Sequence, residues 1–446
     1  MIRFIDLFAG IGGIRLGLEQ ACHDARVEAE CVFSSEIKDA AIRVYNQNHP
    51  GEIITGDITK VEAKSIPDFD VLLAGFPCQA FSYAGNRDGF ADQTRGTLFF
   101  DILRILKEKK PLGFILENVE GLVSHDEGRT FSTILSCLQE NYKVSYKVLN
   151  ASDFGVPQDR RRIYFVGVKK NKRKVSLDGF KPFHSTVGKI LEQGLPLSKT
   201  PFAEALLTHY TIEQVEGKKI KDKRGGNDNI HSWDLEIKGA VSPEQKALLN
   251  AMLKARRQHK WAEEWGIDWM DGMPLTVQQI QTFYQHPNLQ HMLNDLTDKG
   301  YLRYELPKKK VTSTFVVNGQ ESTISRRIPD ESKPKGYNIV AGKLSFEVSE
   351  VLSREGIAPT MVAMDMHRIH VVDGTGIRQL SLREGLRLFG YPDDFRFDVS
   401  LDEGFDLLGN TVVVPVIKAV ASRLLDSINK TNYEINCRAS KGSAYQ

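Results

Sequence analysis

The chain has 446 residues, 41% hydrophobic and 26% charged, with a formal net charge of +2. This is the balance of a soluble globular protein of roughly two or three domains, and it excludes a disordered chain. No stretch approaches about 18 unbroken apolar residues, and the start, Met1-Ile2-Arg3-Phe4-Ile5-Asp6, lacks the basic leader and apolar run of a secretory signal, so a cytoplasmic protein without membrane contact is expected. Cys22, Cys31, Cys78, Cys137 and Cys437 form no CxxC pair, which indicates neither a disulfide framework nor a metal site.

Short apolar runs alternate with helical patterns through residue 168. Strands are predicted at Arg3–Phe8, Glu30–Ser34, Val71–Ala74, Gly113–Leu116, Val144–Asn150 and Ile163–Val168. The intervening helices are Ile14–Ala21, Asp39–Asn46, Thr97–Lys107 and Phe131–Gln139. This is the rhythm of a doubly wound α/β sheet. Lys169–Lys174 then reads as a basic linker, and Gly217–Asn229 as a mobile basic loop. Further on, Glu244–Trp261, Thr276–Phe283 and Leu289–Lys299 read as helices and Tyr301–Tyr304 as a strand, with Thr276 an N-cap. Helices return at Leu382–Phe389 and Val413–Asn429. Residues 169–310 carry 24 Lys and Arg against 17 Asp and Glu, whereas residues 1–168 carry 19 against 23. The middle of the chain therefore has the charge of a polyanion-binding region, or of a solvated surface.

Four motifs carry chemistry. In Phe8-Ala9-Gly10-Ile11-Gly12-Gly13 a strand enters a glycine-rich turn and then a helix, which lets backbone approach a ligand closely. The spacing is not the GxGxxG dinucleotide fingerprint. With Glu36 and Asp57 at the ends of the next strands, where they could meet ribose hydroxyls and an adenine amino group, the turn favours an adenosine-type cofactor. Pro77-Cys78-Gln79 follows a buried strand and puts a thiol at the mouth of the sheet. A buried structural cysteine is the plainer alternative, but the loop position favours a nucleophile, with the polar Phe81–Gly96 segment as a lid. Glu117-Asn118-Val119 ends another buried strand, where desolvation would raise the acid toward general-acid chemistry; on these residues alone a structural cap is the better reading. Finally, Gln158-Asp159-Arg160-Arg161-Arg162 enters an apolar strand with Arg160 and Arg162 on one face, fit to clamp an anion or a carbonyl.

In order and spacing these motifs resemble those of the DNA (cytosine-5)-methyltransferases, bacterial restriction-modification type. The likeness covers roughly residues 1–168 and 354–446, including Arg354–Thr360, Arg378–Pro392 and Gly409-Asn410-Thr411-Val412. The resemblance implies a Rossmann-like α/β methyltransferase domain at 1–183, to which 410–446 returns. It also implies a smaller target-recognition domain at 184–380 and a hinge at 381–409. It implies S-adenosyl-L-methionine held by Phe8, Gly10, Gly12, Glu36, Asp57, Ile58, Leu98 and Asn410. Cys78 would add to cytosine carbon 6, Glu117 would act at ring N3 and Arg162 at O2, with Arg160 placing Cys78 or a phosphate. The target base would be flipped out of double-stranded DNA. The expected protein is monomeric, with a cognate restriction endonuclease as a functional partner. The rivals are a transfer RNA cytosine-5 methyltransferase, disfavoured by the large basic middle region, a non-catalytic DNA-binding relative, disfavoured by the retained Cys78 and Glu117, and a nicotinamide oxidoreductase. Residues 242–306, three helices and a strand, resemble a winged helix inserted into the small domain, either to add DNA contacts or shape readout or merely to support neighbouring loops.

Overall fold

The computed structural model describes residues 1–77, 98–222, 229–270, 272–317, 320–340 and 346–442, with side chains except at 314–324 and 429–442. The chain divides into two units: Met1–Gln193 with Ser353–His367 and Leu380–Gln446, and Gly194–Leu352 with Arg368–Gln379.

The first unit is built on β1 (Ile2–Leu7), α1 (Gly13–Asp24), β2 (Ala29–Ser35), α2 (Asp39–Asn48), β3 (Ile54–Thr55), β4 (Val71–Gly75), α3 (Leu98–Lys109), β5 (Gly113–Val119), α4 (Arg129–Gln139), β6 (Tyr142–Asn150) and β7 (Arg161–Lys169). The strand order is β3-β2-β1-β4-β5-β7-β6. β1 to β5 are parallel, and β7 lies antiparallel between β5 and β6. The connection from β6 to β7, residues 151–160, is shorter than the dozen or so residues a parallel crossover needs. Val71–Ala74 and Phe114–Leu116 are wholly buried, because helices cover both faces of the sheet. The order reverses between β1 and β4, which opens a crevice at their carboxyl ends.

The second unit contains α5 (Pro201–His209), α6 (Ile212–Val215), β8 (Lys219–Ile220) and β9 (Asn229–Ile230), followed by four helices: α7 (Pro243–Ala255), α8 (Lys260–Trp265), α9 (Val277–Gln281) and α10 (Leu289–Asp298). Then come β10 (Leu302–Glu305), β11 (Lys308–Val317), β12 (Gln320–Pro329), β13 (Gly336–Ile339), β14 (Glu350–Leu352), β15 (Ile369–Asp373) and β16 (Gly376–Gln379). A five-stranded sheet has the order β16-β15-β14-β8-β9. The helices bury a separate core of Trp233, Leu248, Leu249, Met252, Trp261, Leu293 and Leu296, closed by Tyr337 and Ile339. β10 pairs with β13, and β11 with β12, both antiparallel.

The chain then returns to the first unit as α11 (Leu382–Leu388), α12 (Leu401–Asn410) and α13 (Val414–Gly442). By length and composition Leu401–Ile428 is apolar enough to cross a membrane. It is instead two helices, and Val416, Ile417, Val420, Leu424 and Leu425 are buried in the first unit.

Several boundaries differ from the sequence reading. Lys169–Lys174 does not leave the first unit: Lys143 Nζ and Ser145 Oγ donate to the Lys172 and Val175 carbonyls, and Val175, Leu177 and Val187 are buried beyond it. Residues 381–409, expected as a hinge, contribute buried Leu386, Leu388, Leu407 and Leu408 to the same unit. The long helix expected at Glu244–Trp261 breaks after Ala255, where the Trp261 indole donates to the Ala255 carbonyl and Met273 N–H to that of Arg256. Thr276 caps α9 as expected, its side chain accepting from Gln279 N–H. Of the basic loop expected at Gly217–Asn229, residues 223–228 lie outside the described residues, and Lys219–Ile220 form β8.

Helix α13 is carried against α1 by the absence of a side chain at Gly17, where an added Cβ would fall 2.6 Å from Ile417 Cβ. Gly17→Ala should therefore lower the thermal midpoint, overpacking of about 1–3 kcal/mol exceeding the about 0.5–1 kcal/mol that alanine gains in helix propensity. A raised midpoint would show that the two helices separate freely.

Candidate active site

The turn after β1 is held by backbone geometry that only part of the sequence advertises. Phe8 adopts φ 54°, a left-handed conformation unusual for an aromatic residue, and Gly10 follows at φ 56°. No described residue lies within 4 Å of where a Gly10 Cβ would stand. Glu36 latches the turn: Oε2 accepts from Gly10 N–H at 2.8 Å, and Oε1 from Ile37 and Lys38 N–H at 2.8 and 2.9 Å. Gly12, expected at the cofactor, stands back instead as the left-handed cap of α1, with the Tyr45 ring 3.4 Å from its would-be Cβ.

Around this turn lies a cavity of about 510 Å³, within the range of small-molecule sites. Phe8, Gly10, Glu36, Asp57, Ile58, Leu98 and Asn410 line it, together with Glu117, Arg160 and Arg162. Asp57 Oδ1 caps the turn Ile58–Lys60 by accepting from Thr59 N–H and Oγ1 at 3.0 and 2.7 Å. Asn410 Nδ2 donates to the Asp406 carbonyl at 2.8 Å. Ser35, which the sequence reading passed over, lines the cavity with a buried hydroxyl that lacks a hydrogen-bond partner. Asp6, one strand position before Leu7, is likewise buried with both oxygens unpartnered. Burial holds its carboxyl well above the usual range, against the pull of Arg15.

The opposite wall carries the charged groups. Glu117 pairs in register with Gly75, the last residue of β4, and so stands beside the strand end leading to Phe76-Pro77. Arg162 Nε is 3.1 Å from Glu117 Oε1, and both side chains are largely buried. Burial raises the Glu117 carboxyl above its ordinary value, while Arg162 and then Arg160 pull it down. Asn118 Nδ2 donates to the Phe76 carbonyl at 2.9 Å, fixing the approach to Pro77. The sequence quoted Asn118 but gave it no role; its place directly after Glu117, at a strand end, was the available signal. Pro77 lines the cavity, and Cys78 and the expected lid lie outside the described residues.

Arg160, expected to place Cys78 or a phosphate, directs its terminal nitrogens to backbone carbonyls. Its guanidinium is buried and donates to the carbonyls of Met361, Gly409 and Thr411 at 2.7, 3.2 and 2.8 Å, above the ring of Phe389. It clamps carbonyls, but those of the protein's own backbone. Burial, and then Arg162, lower its pKa to about 10, so it remains charged at neutral pH.

The sequence profile of the C-5 cytosine-specific DNA methylases matches residues 2–426. This chain belongs to that family. Methyl transfer to carbon 5 of cytosine in DNA is the reaction of this methylase. It is 58% identical to the Type II methyltransferase M.NlaIV of Neisseria lactamica, over 96% of this chain and 99% of that one. It is 57% identical to M.NgoBV of Neisseria gonorrhoeae and 40% identical to M.BanI of Aneurinibacillus aneurinilyticus, each over 96% of this chain and 99% and 96% of theirs. Full-length likeness to DNA methyltransferases leaves the transfer RNA reading unsupported. The crystal structure of the S. pombe Dnmt2 methyltransferase, 16% identical and covering 96% of this chain and 100% of its own, has the same fold with a TM-score of 0.53.

Arg162 lowers the Glu117 carboxyl, so removing the guanidinium must move that group further up. In Arg162→Gln the Glu117 carboxyl resonance, followed by carbon-13 NMR, should titrate at higher pH than in the parent methylase. A midpoint unchanged or displaced downward would mean that the pair is not coupled in solution.

Proposed function

We propose that this methylase takes its methyl group from S-adenosyl-L-methionine in the cavity beneath the Phe8–Gly10 turn. Delivery is to one cytosine within a specific double-stranded DNA sequence, through a covalent bond between Cys78 and carbon 6. The observation that carries the reading is the Glu117–Arg162 pair on the wall of that cavity, beside the strand end that leads into Pro77-Cys78. The Type II names of the relatives extend it to a protective methylase of a restriction-modification system, cytoplasmic and monomeric, with an endonuclease of the same specificity as functional partner.

The residues present suit the donor. A carboxylate has about four lone-pair sites, and three backbone N–H groups occupy three of them on Glu36, leaving one for a ribose hydroxyl. Asp57 spends Oδ1 on its cap, so Oδ2 can accept from an adenine amino group. The space that the described residues leave at Gly10 and the unpartnered Ser35 hydroxyl provide room and a polar contact. When bound, the sulfonium supplies an electrophilic methyl group.

The chain's own groups do the rest. Carbon 5 of cytosine is a weak nucleophile. Addition of the Cys78 thiolate to carbon 6 forms an Sγ–C6 bond and pushes the electron pair of the C5–C6 double bond into the ring, toward N3 and carbon 5. Glu117, whose carboxyl burial raises above its ordinary value, meets the charge developing at N3 with a hydrogen bond or a proton. Arg162 has committed Nε to Glu117 and Nη1 to the Arg161 carbonyl, so Nη2 remains for the cytosine O2. Carbon 5, now enamine-like, becomes methylated. Loss of its proton to water then drives the electron pair back, breaks the Sγ–C6 bond and restores aromaticity. All of this requires the base outside the duplex stack.

Glu36→Ala should raise the cofactor dissociation constant about tenfold or more, since it removes a charged acceptor and releases the Gly10 N–H. Unchanged calorimetric binding would displace the ribose from Glu36. A fluorine at carbon 5 cannot leave as a proton would, so the methylase should stay covalently attached to 5-fluorocytosine DNA in the presence of S-adenosyl-L-methionine. Cys78→Ser should bind that DNA without the denaturant-resistant adduct, whereas replacement of Cys22, Cys31, Cys137 or Cys437 should preserve it. An adduct of parental yield from Cys78→Ser would end the assignment.

A further inference from the structure

We propose that residues 243–339 of the second unit form a winged helix whose hairpin, β11 with β12, grips the DNA sugar-phosphate backbone as a contact site of its own. The proposal rests on DNA being the substrate.

The topology supports the first half. Leu275 exchanges both backbone hydrogen bonds with Tyr337, which makes a one-residue strand between α8 and α9. β13 therefore lies between Leu275 on one side and β10 on the other. Helix, short strand, two helices and then a long hairpin, with the last strand central, is the order of a winged helix. It extends beyond the expected 242–306 because strand β13, which closes the sheet, follows the hairpin rather than preceding it.

Charge supports the second half. Lys308, Lys309 and Lys310 on β11 lie near Arg326 and Arg327 on β12: Lys310 is directly opposite Arg327, while Arg326 is opposite Val311. Like charges in direct cross-strand register repel, a cost that a polyanion would relieve. Lys309 is answered by Asp330, and Arg327 by the carbonyl of Trp269. Lys310 and Arg326 are exposed and Lys308 half-exposed, and none of these three has an ion pair or hydrogen bond to a described residue. Such uncommitted cations on a protruding hairpin fit phosphates.

The root of the hairpin leads to α10. The Tyr337 hydroxyl donates to Asn294 Oδ1 and accepts from Gln290 Nε2, at 2.9 and 2.7 Å, while the exposed Tyr304 ring packs 4.8 Å from that of Tyr337. Asn294 and Gln290 are thereby held in fixed orientation on the exposed side of α10. Among the described residues Asn294 Nδ2 and Gln290 Oε1 have no hydrogen-bond partner, a donor and an acceptor of the kind that read base edges.

The test is the salt dependence of binding by the full chain to a fluorescein-labelled DNA duplex of mixed sequence. The triple variant Lys308→Gln, Lys310→Gln, Arg326→Gln should weaken binding at least about tenfold and flatten the plot of log K against log salt by about 2.7, or about 0.9 for each cation removed. Its thermal midpoint and calorimetric cofactor affinity should match the parent's. A control removing the same charge at exposed Lys107, Lys199 and Lys254 should flatten the plot by less than half as much. An unchanged slope in the wing variant overturns the proposal, and so does an equal loss in the control, which would make net charge the cause. Because adduct formation by the parent on 5-fluorocytosine DNA is read separately, either failure leaves the catalytic reading standing. Failure of that adduct would sink the catalytic reading and leave the wing to its own slope.

Discussion

A single buried guanidinium joins parts of the first unit that lie far apart along the chain. Arg160 stands at the entry to β7 and bonds to the carbonyls of Met361, Gly409 and Thr411. Beside it Gln158, fully buried, donates to the Leu388 carbonyl and accepts from Met361 N–H. A buried charge is tolerated only when hydrogen bonds replace its water. The carbonyls reaching Arg160 come from a loop and from the end of α12, both more than 200 residues downstream. The catalytic wall and the returning C-terminal segment are thus fastened together here, and the cavity lies between them.

The same economy governs the cavity itself. Acids gather at the carboxyl ends of the strands, yet each has a distinct electrostatic position. Glu36 accepts three backbone N–H bonds and latches the turn, whereas burial raises the carboxyls of Asp6 and Glu117 above their ordinary values. Of these three only Glu117 has a guanidinium at hydrogen-bond distance, so burial and a nearby positive charge act on it in opposite directions. That balance suits a group that must meet charge developing on a substrate ring.

The second unit separates two kinds of work. Its five-stranded sheet and small apolar cluster, including Leu206, Val215, Ile220, Val348 and Val351, form one core. The helical segment buries another around Trp233, Trp261 and Leu293, and carries its polar and cationic groups outward on α10 and the hairpin. With its own core, such a segment can be displayed on the sheet without disturbing how the sheet is held together.

The sequence by itself determined the alternation of strands and helices, the turn at Phe8–Gly10, and the residue types at the ends of β4, β5 and β7. Those are local signals: a buried parallel strand must be continuously apolar, and a polar or glycine residue at its end is conspicuous against it. Gly12 and Arg160 show where that legibility stops. Both belong to recognisable motifs, yet one caps a helix against Tyr45 and the other bonds to carbonyls far along the chain. Likewise, the basic run at Lys169–Lys174 looked like a linker because its charges are visible in sequence, while the alternating Val175 and Leu177 that bind it to the sheet edge are too few to form a period. The hairpin of β11 and β12 escaped notice for a related reason, since its few apolar residues are scattered among Lys, Arg, Ser and Thr. What only the tertiary structure decided is which partner each polar group meets, because a hydrogen bond's donor and acceptor are fixed by distance in space, and the sequence orders them only along the chain.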